Sequence, residues 1–114
     1  MQIGVSTERS GGLITVAPVG DIDVSTAPLL EAAIAEALDA NPGAEVCVDL
    51  SGVTFLDSSG IAALLRGRRA ADGRRTVYRV AGAHGITLQV LELTGVWVYL
   101  SGEPEPDPST DPAS

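Results

Sequence analysis

Apolar residues change their spacing several times along the chain, and each change marks an element. Residues 3–5 and 13–19 carry strand-like apolar content on either side of Ser10-Gly11-Gly12. They predict a β-hairpin, with the glycine pair supplying the positive φ that a tight turn needs. Gly20 is expected to end the second strand. From Thr26 onward, Leu30, Ala33, Ile34, Ala37 and Leu38 recur at helical spacing, the stripe of a helix packed on a sheet. Thr26 suits its N-cap, Pro28 is tolerated in its first turn, and Asn41-Pro42-Gly43 ends it. Residues 46–50 read as a central strand. The run V-T-F-L that follows stops at Asp57, and a second helix is expected over residues 58–72, with Ile61, Leu64 and Leu65 on one face and Gly73 closing it. Residues 77–81 predict a strand, 84–93 a third helix, and 96–100 a final edge strand. Strands alternating with helices indicate an α/β layered domain.

After Gly102 the pattern disappears. E-P-E-P-D-P-S-T-D-P-A-S alternates proline with acids and contains nothing apolar beyond alanine and proline. It cannot bury enough surface to offset its ordering entropy. The expected organisation is one domain over residues 1–101 and a disordered acidic tail over residues 102–114. One domain also suits a chain of 114 residues with 45% apolar content.

The net charge of −8 and the absence of lysine exclude a phosphate-backbone binder. Glu103, Glu105, Asp107 and Asp111 lie in the tail, which leaves about −4 on the rest, so the acidity does not imply one large acidic surface. No apolar run approaches the ~20 residues that span a bilayer, and the first residues lack an export signal. A single cysteine, Cys47, within E-V-C-V-D-L, can form no internal disulfide and is expected to act as a small buried hydrophobe. A cytoplasmic protein fits these features.

The candidate chemistry is D-S-S-G at residues 57–60, between a strand-like run and a helix. A hydroxyl there stands at a helix N-terminus, where free N–H groups and the macrodipole accommodate an anion such as a phosphate. Helix capping by Asp57, Ser58 or Ser59 explains the same residues without any modification. Asp21 and Asp23 precede the first helix, where turn acids are favourable on dipole grounds alone. Three carboxylates, Asp21, Asp23 and Asp57, also raise the question of a divalent cation. Arg66, Arg68, Arg69, Arg74 and Arg75 read as a solvated, dipole-complementing face, and Trp97 as packing. A serine hydrolase would need G-x-S-x-G, but Leu56 and Asp57 stand two residues before the serines. One histidine and one cysteine build no zinc site, and no G-x-x-x-x-G-K is present. No enzyme, metal or cofactor is expected.

V-D-L-S-G-V and F-L-D-S-S-G-I, together with V-G-D-I-D-V-S-T-A upstream, closely resemble the STAS domain of bacterial anti-sigma factor antagonists, over roughly residues 11–101. The resemblance implies a mixed sheet of about five strands with three or more helices packed on it. It implies that Ser58, rather than Ser59, accepts a phosphate from an ATP-dependent anti-sigma serine kinase that is also the binding partner. The unphosphorylated protein would bind that kinase and free a sigma factor, the phosphorylated one would not, and a separate phosphoserine phosphatase would reset it. Asp21, Asp23, Ser25, Thr26, Asp57, Ser58, Ser59 and Gly60 would form the partner-facing surface. The same fold also serves as a constitutive scaffold or adaptor in stress-signalling or lipid-transport assemblies, without a phosphorylation cycle.

Overall fold

The computed structural model describes residues 3–101; the acidic tail lies outside the described residues. Two strands, β1 (Gly4–Ser10) and β2 (Leu13–Ile22), form the antiparallel hairpin, closed by the pair Ser10 and Leu13. Gly11 takes φ +59 and carries the turn. β1 is longer than the three apolar-rich residues suggested. Its remaining positions face solvent along a sheet edge, so Ser6, Thr7, Glu8 and Arg9 give no apolar alternation to read.

Then follow α1 (Ala27–Ala40), β3 (Glu45–Asp49), β4 (Gly52–Leu56), α2 (Ser58–Gly73), β5 (Tyr78–Ala81), α3 (Gly85–Leu93) and α4 (Trp97–Ser101). β3 runs parallel to the first half of β2, and β4 parallel to its second half. β1 pairs with one edge of β2 from Leu13 to Val19, and β3 and β4 share the other edge, end to end. β5 adds in parallel beyond β3. Ile14, Val16, Val46, Val48, Tyr78 and Val80 occupy alternate positions and are buried beneath the α1 and α2 layer. The residues between them, such as Thr15, Cys47 and Arg79, lie on the opposite face and are only partly covered or exposed. Cys47 is thus half-buried, and that burial pushes its thiol pKa above the ordinary 9.0.

Gly20 does not end β2. The chain takes φ +114 there, the pairing with β4 shifts register, and the strand continues through Ile22. Val53 pairs with Gly20 and Phe55 with Asp21, so Thr54 is the extra residue of a bulge. The expected edge strand at 96–100 is instead the helix α4. Gly95, at φ +77, turns the chain out of α3, and the N–H of Leu100 reaches the carbonyl of Val96 at 3.0 Å. Leu100 is fully buried and Trp97 packs against the core, so helical spacing overrides the β-propensity of V-W-V-Y. The fifth strand is β4.

The arginines do more than face solvent. Arg66 pairs with Glu31 at 2.8 Å and Arg74 with Asp39 at 2.5 Å, tying α2 to α1 at two levels. Arg68 bonds Asp72, donates to the carbonyl of Tyr99 at 2.6 Å and lies 4.5 Å over that ring, securing α4. Because α2 runs to Gly73, Arg68 and Arg69 stand before its last turn and do not complement its dipole there. Gly67 lets α2 settle on β5, since a Cβ would stand 2.6 Å from the Tyr78 hydroxyl, which donates to the Leu64 carbonyl at 2.9 Å.

Candidate functional site

Parallel pairing of β2 with β4 brings the two candidate motifs together. Ile22 pairs with Leu56, and the N–H of Asp57 donates to the carbonyl of Ile22 at 3.1 Å. The D-S-S-G turn and the segment that starts α1 therefore leave the sheet side by side. Gly60 makes this possible: it is buried in the first turn of α2, and a Cβ there would collide with the Leu56 side chain and stand 2.9 Å from Ile22 Cγ2. Both neighbours are core residues, 2% and 0% exposed.

Asp57 is the N-cap of α2. Its Oδ1 accepts from the N–H of Ser59 at 2.8 Å and of Gly60 at 3.3 Å. Two of the donors expected to be open to an anion are thus already taken by a carboxylate. Ser58 is the first residue of the helix; its side chain is exposed and has no hydrogen-bond partner among the described residues. Ser59 is half-buried. The structure thus distinguishes two hydroxyls that are equivalent in the sequence.

Asp23 organises the entry to α1. Its Oδ1 accepts from the N–H and hydroxyl of Ser25, at 2.9 and 2.6 Å, and from the N–H of Thr26 at 3.2 Å. The Ser25 bonds lead in holding its pKa below the ordinary 3.8. Thr26 occupies the N-cap of α1 but makes no side-chain cap bond. Its buried hydroxyl donates back to the Asp21 carbonyl and accepts from the Asp23 N–H, both at 2.9 Å, and so locks the loop. Asp21 lies within β2 rather than in the loop, and its carboxylate accepts from the Thr54 hydroxyl at 2.5 Å. Neither Asp21 nor Asp23 bonds Ser58. Among the described residues no three acidic, histidine or cysteine side chains converge as a metal-ligand set.

Of the eight residues assigned to a partner-facing surface, Thr26 and Gly60 are buried and shape the site from beneath. The sequence reading missed a groove of about 380 Å³ between the start of α1 and α2. Val24, Ala27, Pro28 and Ala62 give it apolar walls, Ser58 and Ser59 open onto it, and the paired Glu31 and Arg66 complete its lining. Val24 is 75% exposed, a large apolar side chain left uncovered beside the serines. Ser58, Ala62 and Arg66 follow one another at intervals of four, so their common helical face was readable; the contribution of α1 was not.

Residues 5–100 match the family described as "Mlab, STAS domain". The anti-sigma-F factor antagonist RsfB of Mycobacterium tuberculosis is 33% identical over 94 residues, covering 82% of this chain and 75% of the relative. A crystal structure of an anti-sigma factor antagonist from Mycobacterium paratuberculosis superposes with a TM-score of 0.76 at 30% identity, covering 95% of this chain and 89% of that one. The Bacillus cell fate determinant SpoIIAA, solved in its phosphorylated form, shares the fold with a TM-score of 0.66 at 14% identity, over 97% of this chain and 100% of that one. This chain belongs to the STAS-domain family of anti-sigma factor antagonists.

Proposed function

We propose that the protein is a phosphorylation-gated antagonist of an anti-sigma factor, acting by docking rather than by catalysis. The observation that carries this reading is the hydroxyl of Ser58, exposed and unbonded at the mouth of an apolar-walled groove. In the unmodified protein the partner lays its surface over Ser58, the groove and the loop ordered by Asp23, and the sigma factor is freed. The partner is also an ATP-dependent serine kinase. The Ser58 oxygen attacks the γ-phosphorus of ATP, the bond to the β-phosphate oxygen breaks, ADP leaves, and the hydroxyl proton passes to a base or water. Magnesium comes with the nucleotide. The product carries an added charge of about −1.5 to −2 at neutral pH. A partner surface fitted to a neutral hydroxyl would have to desolvate that charge, and every 1.4 kcal/mol of penalty weakens binding tenfold. A phosphoserine phosphatase restores the binding form, and the cycle takes place in the cytoplasm.

Incubation with ATP and the candidate kinase, followed by mass mapping, tests the acceptor, and affinity measurements on Ser58→Ala and Ser58→Asp test the switch. Phosphate on Ser58, retained binding by the alanine variant and weakened binding by the aspartate variant are expected. Phosphate only at another residue refutes the acceptor. Unchanged affinity in both variants points instead to a constitutive adaptor.

A further inference from the structure

Resting on Ser58 as the acceptor, we propose that Asp57 pre-empts two of the anion-accepting amides at the start of α2, so that a phosphate on Ser58 does not take over the helix cap and is displayed outward. Three observations lead there. The carboxylate of Asp57 already holds the N–H groups of Ser59 and Gly60. The nearest cation lining the groove, Arg66, is engaged by Glu31 at 2.8 Å. Ser58 itself has no side-chain bond that a phosphate could inherit.

A helix N-terminus ordinarily stabilises a phosphate through free amides and the dipole. Here an adjacent carboxylate has taken that position, and placing a dianion beside it brings like charges together. The charged groups near the modified side chain are Asp57 on its own turn, Asp23 in the adjoining loop, and Glu31 on α1 paired with Arg66 two turns further along α2, a pair that is neutral overall. Of the two unpaired carboxylates, Asp57 is the one that holds the amides next to Ser58. Phosphorylation leaves the helix cap intact, the modified form is less stable than the unmodified one, and the full charge meets the approaching partner. Asp57 acts here as a positioning residue: it determines where the phosphate points.

The test uses the full chain with phosphoserine encoded directly at position 58, so that it does not depend on whether a kinase modifies that residue. Wild type and Asp57→Asn are compared; asparagine keeps a capping oxygen and removes the charge. Phosphorus NMR gives the second phosphate pKa, ordinarily about 6. It is expected to lie at least about half a unit higher in wild type than in Asp57→Asn, the scale of one like charge at close range in a solvated setting. In wild type the Gly60 amide resonance should not follow the phosphate titration, and phosphorylation should lower the thermal midpoint more than in the variant. Equal phosphate pKa values, or a Gly60 amide that tracks the phosphate in wild type, would overturn the proposal by showing that the phosphate has taken over the cap. Failure of kinase modification at Ser58 in the separate mass-mapping experiment would refute the acceptor assignment and leave this result standing.

Discussion

Replacing Gly60 by alanine sets two effects against each other, and the structure decides which prevails. In a helix interior alanine is favoured over glycine by about 1 kcal/mol, so propensity alone predicts a more stable protein. The added methyl would collide with the Leu56 side chain and stand 2.9 Å from Ile22 Cγ2. Leu56 is 2% exposed and Ile22 0%, so neither can swing into solvent to make room. Overpacking of this kind costs roughly 1–3 kcal/mol, and a contact this short belongs toward the upper end. The net expectation is a loss of about 1–2 kcal/mol. In a domain of this size each kcal/mol moves the thermal midpoint by about 4–8 °C. Urea unfolding and a thermal scan of Gly60→Ala both measure it. The collision also pushes the first turn of α2 away from the sheet, so affinity for the anti-sigma factor should fall with Ser58 unchanged. A variant as stable as wild type, or more stable, would refute the close-approach reasoning.

Two further expectations follow from the loop before α1. Thr26→Val keeps the side-chain shape but strips the Asp21 carbonyl and the Asp23 N–H of a buried partner; a loss of about 1–3 kcal/mol in urea unfolding is expected. Asp23, with its pKa lowered by the Ser25 and Thr26 bonds, contributes stability that is fully present above its ordinary value of 3.8 and is lost as pH falls through the lowered value. Urea midpoints measured against pH should fall on the acid side less steeply in Asp23→Asn than in wild type, and identical profiles would remove Asp23 from the account.

The elements with one buried face were legible in the chain. Leu30, Ile34, Ala37 and Leu38 announce α1, and Val46 and Val48 announce β3, because burial imposes its period on residue type. β1 was mostly hidden, since an exposed edge strand places no apolar demand on Ser6, Thr7 or Glu8. β-rich residues at 96–100 misled for the opposite reason: Trp97 and Leu100 meet the core from a helix, and no local signal distinguishes that from a strand. At the site, D-S-S-G at a strand-to-helix junction could be read from the residues, and its proximity to the loop after β2 was implied by the family resemblance. What could not be read was which groups bond to each other. Asp57 takes the amides that looked open to a phosphate, Thr26 turns its hydroxyl back into the loop, and Thr54 meets Asp21 only because a bulge inserts it there. The groove needs α1 and α2 in register and so has no signature in either segment alone.

Gating of partner binding by the exposed hydroxyl of Ser58 is tested most directly by titrating the anti-sigma factor, without ATP, into two preparations of this chain, unmodified and with phosphoserine at position 58. At least tenfold weaker binding of the phosphorylated chain is predicted, equivalent to about 1.4 kcal/mol or more. Equal dissociation constants would contradict the account.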